Sequence, residues 1–242
     1  MDNKPKVTIV IPCYNSEKWI EQSVRTALDQ DYDNVEVIFV DNESTDSSVD
    51  IVSKIQSDKL IMSSAPNIYP HCWDEAREEG IRMSTGEYIL IMGSDDFLEN
   101  NFISNCMSIV MKVPDKIRVL QSPIRGIKGQ EEGDVGFVSY FYNNKEQLKQ
   151  ELVKRCVVNT PTVLYKKDVL LETKTKPSQY GGAADYDFYC QLVDKGEFIF
   201  PVSSWLGFNY RWHPEQATWK MKKQQTNYDK KIQRFWREKW RI

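Results

Sequence analysis

Five cysteines occur in the 242 residues, and none belongs to a C-x-x-C pair. Cys13, Cys72, Cys106, Cys156 and Cys190 are odd in number and widely scattered, which argues against a disulfide framework and against a zinc site. A reducing cytoplasm is the simplest setting. Histidine is scarcer still: His71 and His213 are the only two, so no H-E-x-x-H pattern exists. The segment "PCYNSEKW", which follows the first apolar run, has no glycine, so G-x-G-x-x-G is missing, and the P-loop pattern G-x-x-x-x-G-K-[ST] is also absent. Long hydrophobic runs are lacking too. The start, "MDNKPKVTIVIP", holds only a five-residue apolar stretch, far short of a signal-peptide core or of the roughly 20 residues that span a membrane. The expectation is a protein neither secreted by that route nor integral to a membrane. The net charge of −3 gives no global reason to expect nucleic acid as a partner, although residues 211–242 carry ten Lys/Arg against three Asp/Glu.

What is present is ordinary soluble-domain material, 40% hydrophobic and 28% charged, enough for one main domain. Val7–Ile11 is a β-branched run stopped by Pro12, and a helical pattern follows with Trp19, Ile20, Val24, Ala27 and Leu28 on one side. "VEVIFV" (35–40) repeats the strand signature, and "DNESTDSS" (41–48) leads into a second helix. "KLIMSS" reads as a third strand, 72–83 as a third helix and 87–92 as a fourth strand. This β-α-β-α-β-α-β order implies an α/β fold with a mostly parallel sheet and helices on both faces. In the second half, 117–123, 135–141 and 161–165 look like strands and 145–153 like a helix, while Gly126, Gly129, Gly133 and Gly136 suggest a mobile loop or a hairpin.

In such sheets ligands bind beyond the carboxyl ends of the strands. Three polar clusters fall there: "PCYNSE", "DNESTD" and "GSDD". The last ends an apolar run, "YILIMGSDDF", in two adjacent carboxylates, Asp95 and Asp96. Like charges side by side repel, and burial would force one to hold a proton unless a cation sits beside them. The plainer alternative is a solvated turn that caps a following helix. Tyr14, Asn15, Glu17 and Asn42 could stack on or hydrogen-bond a base and ribose. Carboxylate oxygens suit Mg²⁺ or Mn²⁺, which commonly take one or two protein carboxylates plus substrate phosphates. Together these point to a metal-bound nucleotide diphosphate.

The segments "VTIVIPCYNSEKWIEQSVRTALDQDY", "EVIFVDNESTDSS", "STGEYILIMGSDDFL", "YGGAADYDFYCQLVDKGEF" and "YRWHPEQAT" occur in an ordered series spanning nearly the whole chain. In that series the chain resembles a family 2 glycosyltransferase of the GT-A fold. The resemblance implies a Rossmann-like nucleotide-binding half (1–98), an acceptor-binding half (99–210), and a C-terminal loop with a basic amphipathic helix (211–242). It implies that Pro12, Tyr14, Asn15 and Glu17 line the nucleotide, and that Asn42, where the family more often has Asp, reads the pyrimidine N3–H. Asn67 and Arg77 are also assigned to the nucleotide, with Glu78 standing where the family has Asn. In "GSDD", Gly93 replaces a common Asp; Asp96 would coordinate the divalent cation, and Asp95 would hold ribose or a metal-bound water. Asp185 aligns with the catalytic base, Arg211 with a diphosphate contact, and His213 with a residue completing the metal shell.

On this resemblance the activity is inverting transfer from a nucleotide-diphosphate sugar to an acceptor hydroxyl, on a glycan or lipid-linked glycan of a bacterial-type cell surface. The cation would stabilise the leaving diphosphate, and one carboxylate would accept the hydroxyl proton. Two alternatives stay open: a nucleotidyltransferase that makes sugar nucleotides, and a relative that binds nucleotide or glycan without turnover. Tyr228, Ile232, Phe235, Trp236 and Trp240 fall at helical spacing among basic residues. That helix could pack on the domain or lie peripherally on the inner, anionic membrane face.

Overall fold

The computed structural model describes residues 4–68, 74–113, 116–129 and 133–242, with side chains throughout except at 133–134 and 217–226. His71 and Cys72, and the start of the helix expected over 72–83, lie outside the described residues.

The first half alternates as the sequence implies: β1 (Val7–Cys13), α1 (Ile20–Leu28), β2 (Val35–Asp41), α2 (Ser48–Ser53), β3 (Leu60–Ser64), α3 (Asp74–Met83) and β4 (Tyr88–Ile91). Then come β5 (Phe97–Leu98), α4 (Phe102–Val110), β6 (Val119–Gln121), the hairpin strands β7 (Ile124–Lys128) and β8 (Gly133–Val138), and α5 (Lys145–Leu152). The rest comprises β9 (Leu164–Lys166), α6 (Lys167–Glu172), α7 (Pro177–Tyr180), α8 (Ala184–Asp194), β10 (Ile199–Pro201), β11 (Phe208–Trp212) and α9 (Ala217–Trp240). A seven-stranded sheet runs β10-β6-β9-β4-β1-β2-β3, and within it only β9 is antiparallel to its neighbours. A second sheet runs β5-β11-β7-β8. The glycine-rich stretch is thus a hairpin.

Period-2 alternation divides the apolar residues between two cores, because successive side chains of a strand face opposite ways. Val10, Ile38, Val40 and Ile89 belong to one core, with side chains from α3, α5, α6, α8 and α9. Ile9, Ile11, Val37, Phe39 and Leu90 belong to the other, with α1, α2 and α4. Pro12, expected to stop the first strand, is instead inside it: pairing with β4 ends at Val10, while pairing with β2 continues to Cys13.

The terminal helix contributes to the first core. Ile232 and Trp236 are buried there, with Tyr228 and Trp240 packed against it. The Trp236 indole N–H donates to Asp187 at 2.8 Å, the Trp240 indole N–H donates to Asp194 at 3.0 Å, and Arg237 donates to the Val153 carbonyl at 3.0 Å. Of the apolar residues that could meet a membrane, these contacts leave Phe235 outside, so packing on the domain takes most of that face. β11 crosses position 210, so the tail does not begin at a break in packing. Among the described residues no helix is long and apolar enough to cross a membrane.

Candidate active site

The turns after β1 and β2 are fastened to each other. Asn15, in a left-handed conformation (φ 50°), accepts the Thr45 N–H through Oδ1 at 2.7 Å, and its own N–H donates to Ser44 at 3.0 Å. The Glu17 carboxylate accepts the Ser47 N–H at 3.0 Å, while the Glu17 N–H donates to Asp46 at 2.9 Å. Asn15 and Glu17 are therefore struts between two loops. Tyr14 is 46% exposed beside them.

Asn42, one residue past β2, is 1% exposed. Its amide donates to the Ala65 carbonyl at 3.2 Å and the Pro66 carbonyl at 2.8 Å. Both donated bonds fix the amide's orientation, and Oδ1 then has no partner among the described residues. A buried acceptor without a donor costs free energy until one arrives. Asn67 follows Pro66 directly, and its backbone N–H donates to Glu43 at 3.0 Å.

The acidic turn after β4 is held from several sides. Ser94 Oγ shares a 2.6 Å hydrogen bond with Ser16 Oγ, and the Ser23 hydroxyl donates to the Ser94 carbonyl at 2.8 Å. Asp96 is 1% exposed and accepts the Arg211 backbone N–H at 2.9 Å. Burial, reinforced by the Asp95 charge, pushes the Asp96 carboxyl well above the usual carboxylate range, against the opposing pull of Arg211. The solvated helix-capping turn is thereby overturned: Asp96 is buried, and the next helix, α4, has Asn101 at its N-cap.

Gly93 has a use here. A Cβ on it would come within 2.7 Å of Asp95 Oδ1 and 3.0 Å of Asp96 Oδ2, so the absent side chain leaves room beside both carboxylates. That space, next to a buried carboxyl whose ionised form is disfavoured by burial and by the Asp95 charge, fits a divalent cation on two carboxylates with remaining positions supplied by phosphate or water. Among the described residues no group of three or more His, Cys, Asp or Glu is arranged to hold a metal, so the fit is to a half-site rather than an all-protein cage.

Asp185 lies in the first turn of α8, where Ala183 is the N-cap, so it is not itself the cap. One carboxylate oxygen accepts the Thr160 hydroxyl at 2.8 Å and the other the Tyr186 N–H at 2.8 Å. Burial raises its pKa above the ordinary value, partly offset by those two bonds and by the Arg77 charge. The carboxyl lines a cavity of about 40 Å³ with Arg77, Ile91, Thr160, Tyr165, Phe188 and Tyr189. Ile91 ends the strand that leads into Gly93–Asp96, so the Asp185 cavity borders the carboxyl end of β4.

The family model described as "Glycosyl transferase family 2" matches residues 8–173. The chain belongs to glycosyltransferase family 2. A curated relative, the UDP-Glc:alpha-D-GlcNAc-diphosphoundecaprenol beta-1,3-glucosyltransferase WfaP of Escherichia coli, is 36% identical over 99 residues, 41% of this chain and 39% of the relative. The chain spans less than half the length of the first curated relatives it matches, 44% and 39%. Among solved structures, S. aureus TarS 1-349 in complex with UDP-GlcNAc superposes with a TM-score of 0.69 at 19% identity, covering 87% of this chain and 60% of that one. The mannosyltransferase PcManGT of Pyrobaculum calidifontis, in complex with GDP-Man and Mn²⁺, gives 0.57 at 17%, covering 84% and 57%. The fold is the mixed α/β GT-A arrangement of such neighbours.

Within this family 2 chain, three residues sit differently from what the motifs suggest. Arg211 is 2% exposed and does not reach outward. Its guanidinium donates to the Asp95 carbonyl at 2.7 Å, the Gly129 carbonyl at 2.9 Å and Gln22 at 2.5 Å, and it stacks between the Trp19 and Phe97 rings at 4.6 and 4.9 Å. It clamps the acidic turn instead of offering a free cation to a diphosphate. His213 points Nε2 at Asp95 Oδ2, 3.0 Å away, so the ring orients Asp95 through that nitrogen, while Nδ1 is buried and has no hydrogen-bond partner among the described residues. Arg77 is 4% exposed, pairs with Glu78 at 2.5 Å, stacks on Phe188 at 5.2 Å, and borders the Asp185 cavity rather than the Asn42 amide.

Thr160, which holds Asp185, gave no sequence signal, since its role depends on a contact across 25 residues. Asp187 is wholly buried, accepts the Trp236 indole N–H and the Gln191 amide, and so anchors α9.

Proposed function

We propose that this chain is an inverting, metal-assisted glycosyltransferase (EC 2.4 class) that moves a sugar from a nucleotide-diphosphate sugar to an acceptor hydroxyl in cell-surface polysaccharide or glycolipid synthesis. One observation carries the reading: Asp185 and the Asp95–Asp96 turn approach the carboxyl end of the same strand, β4, from the two halves of the domain. The names of its relatives agree with it, since the E. coli enzyme uses UDP-Glc and a diphosphoundecaprenol-linked sugar.

In this reading the unpartnered Asn42 Oδ1 accepts the N3–H of a pyrimidine, Tyr14 lies against the base, and Pro12 and Asn67 line the same end of the sheet. Asp96 and Asp95 would hold Mn²⁺ or Mg²⁺, which when bound would stabilise charge on the departing diphosphate. Arg211 and His213 keep the two carboxylates in place. Across the sugar, Asp185 takes the proton of the acceptor hydroxyl as it attacks, and attack opposite to departure inverts the anomeric centre. Desolvation suits that task, because a carboxylate whose proton affinity is raised is a better base. Donors and the reaction would be met on the cytoplasmic side, with a lipid-linked acceptor at the membrane's inner face.

The test is Asp185→Asn. Donor affinity should stay within a few-fold while transfer or donor hydrolysis, measured across a panel of sugar nucleotides with Mn²⁺, falls by roughly 10²–10⁴. Near-normal turnover in Asp185→Asn would place the base elsewhere, and no turnover by the parent with any donor would favour a binding protein.

A further inference from the structure

The terminal helix does more than cover the core, because it brings a second carboxylate to the base. α9 lies against the start of α8: Trp236 donates to Asp187, and the Tyr228 ring lies over Gly181. Gly181 has φ +51°, and a Cβ there would meet that ring at 3.0 Å, so the helix can approach this closely only over glycine. Positions 229, 232, 233 and 236 share a helical face, and Ile232 and Trp236 on it are buried. Asp229 is therefore turned toward the turn that carries Asp185.

The groups that feel Asp229 are Asp185 and Tyr186 from α8 and the Cys156 thiol from the segment after α5, which the charges of Asp185 and Asp229 both raise. On its own helix, Lys231 lies over the Tyr228 ring at 5.3 Å. Among the described residues Asp229 has no hydrogen bond and no ion pair, while Arg77, the cation that lines the Asp185 cavity, is paired with Glu78.

We propose that Asp229 is a positioning carboxylate for glycosyl transfer: set beside Asp185 by the docked terminal helix, its negative charge makes Asp185 a stronger acceptor for the proton of the attacking hydroxyl. This rests on Asp185 being the base. Coupling between two carboxylates is reciprocal and divides their titration into two steps belonging to the pair. Burial and the Asp185 charge push Asp229 up to about 6. Below that pH Asp229 is neutral and the base is weaker; above it Asp229 is charged and the base is stronger. The rate should therefore rise through a limb in that region.

Two readouts test this on the full chain. The first needs no substrate: the thermal midpoint of the parent should fall relative to Asp229→Asn as pH rises through about 6, because a carboxyl raised in the folded state loses stability when it ionises. In an Asp185→Asn background that step should move toward the ordinary carboxylate range. The second uses Mn²⁺-dependent hydrolysis of UDP-glucose and UDP-N-acetylglucosamine. Asp229→Asn should lose the limb near pH 6 and about three- to ten-fold in kcat above it, with donor KM unchanged, and Asp229→Glu should restore both. A purely structural role would lower the thermal midpoint of Asp229→Asn and leave the limb in place. An Asp229 step that ignores Asp185→Asn, or an unmoved limb while Asp185→Asn is inactive, overturns the proposal. Activity retained by Asp185→Asn would instead refute the base assignment on which it rests.

Discussion

Replacing Arg211 with alanine separates a structural clamp from a substrate contact. The guanidinium makes three hydrogen bonds of 2.7, 2.9 and 2.5 Å inside the protein and lies between two aromatic rings. Removing it strands the Asp95 and Gly129 carbonyls in a buried site and deletes the cation nearest two carboxylates. Breaking a buried charged network by truncating one partner costs about 3–5 kcal/mol, consistent with three charge-assisted bonds whose net worth is about 1.5–3 kcal/mol each before relaxation. For a chain of this size each kcal/mol lowers the midpoint by about 2–4 °C, so Arg211→Ala should melt about 6–20 °C below the parent. Arg211→Lys should recover part of the loss, since one ammonium can reach one or two of the three acceptors but cannot fork across them. The assay is a thermal or urea melt without ligand, beside a donor titration. An outward-facing diphosphate contact would behave oppositely: truncating an exposed side chain usually shifts stability by no more than about 0.5 kcal/mol, and the loss would fall on donor binding alone. A ligand-free melt of Arg211→Ala within 1–2 °C of the parent, about what such an exposed truncation gives, would refute the clamp.

The metal half-site predicts that Mn²⁺ and a UDP-sugar raise the parent's thermal midpoint together, by about 2.7 kcal/mol of stabilisation at a hundredfold excess over Kd. Asp96→Asn should lose that joint shift while keeping a folded, ligand-free domain, and a full shift in Asp96→Asn would remove Asp96 from the metal. Away from the site, buried Glu36 accepts the Thr8 hydroxyl at 2.6 Å, the Thr85 N–H at 2.6 Å and hydroxyl at 2.7 Å, and pairs with Lys6 at 2.6 Å. Although burial raises its pKa, those partners bring it down to about 2. A carboxyl depressed in the folded state gives stability that is complete above its usual value and lost as pH falls toward the folded one. Glu36→Gln should therefore cost about 2 kcal/mol at pH 7, with the gap to the parent closing between pH 4.5 and about 2; a gap that persists at pH 2 would show that the charge is not its source.

The strand-helix alternation, the parallel first half and the cluster of polar loops at the strand ends were all determined by the sequence alone. Periodicity is a local property: Val7, Ile9 and Ile11 face one way and Val10 the other because of the backbone pleat, whatever surrounds them. The Asp95–Asp96 turn was legible for the same reason, as a polar break after an apolar run. What each polar side chain does there was decided by tertiary structure. Asn15 and Glu17 became ties between loops, Arg211 became a clamp, and Asp187 became the anchor of α9, because their partners stand 30, 116 and 49 residues away in sequence, respectively. A hydrogen bond is satisfied by whatever donor or acceptor the fold brings within reach, and spacing along the chain carries no record of that. The terminal helix is the clearest case. Its amphipathic pattern was visible in the sequence, but the same face could have met lipid or protein. The choice was made by Gly181, which lets the helix come close, and by buried Asp187, which needs the indole N–H it finds there.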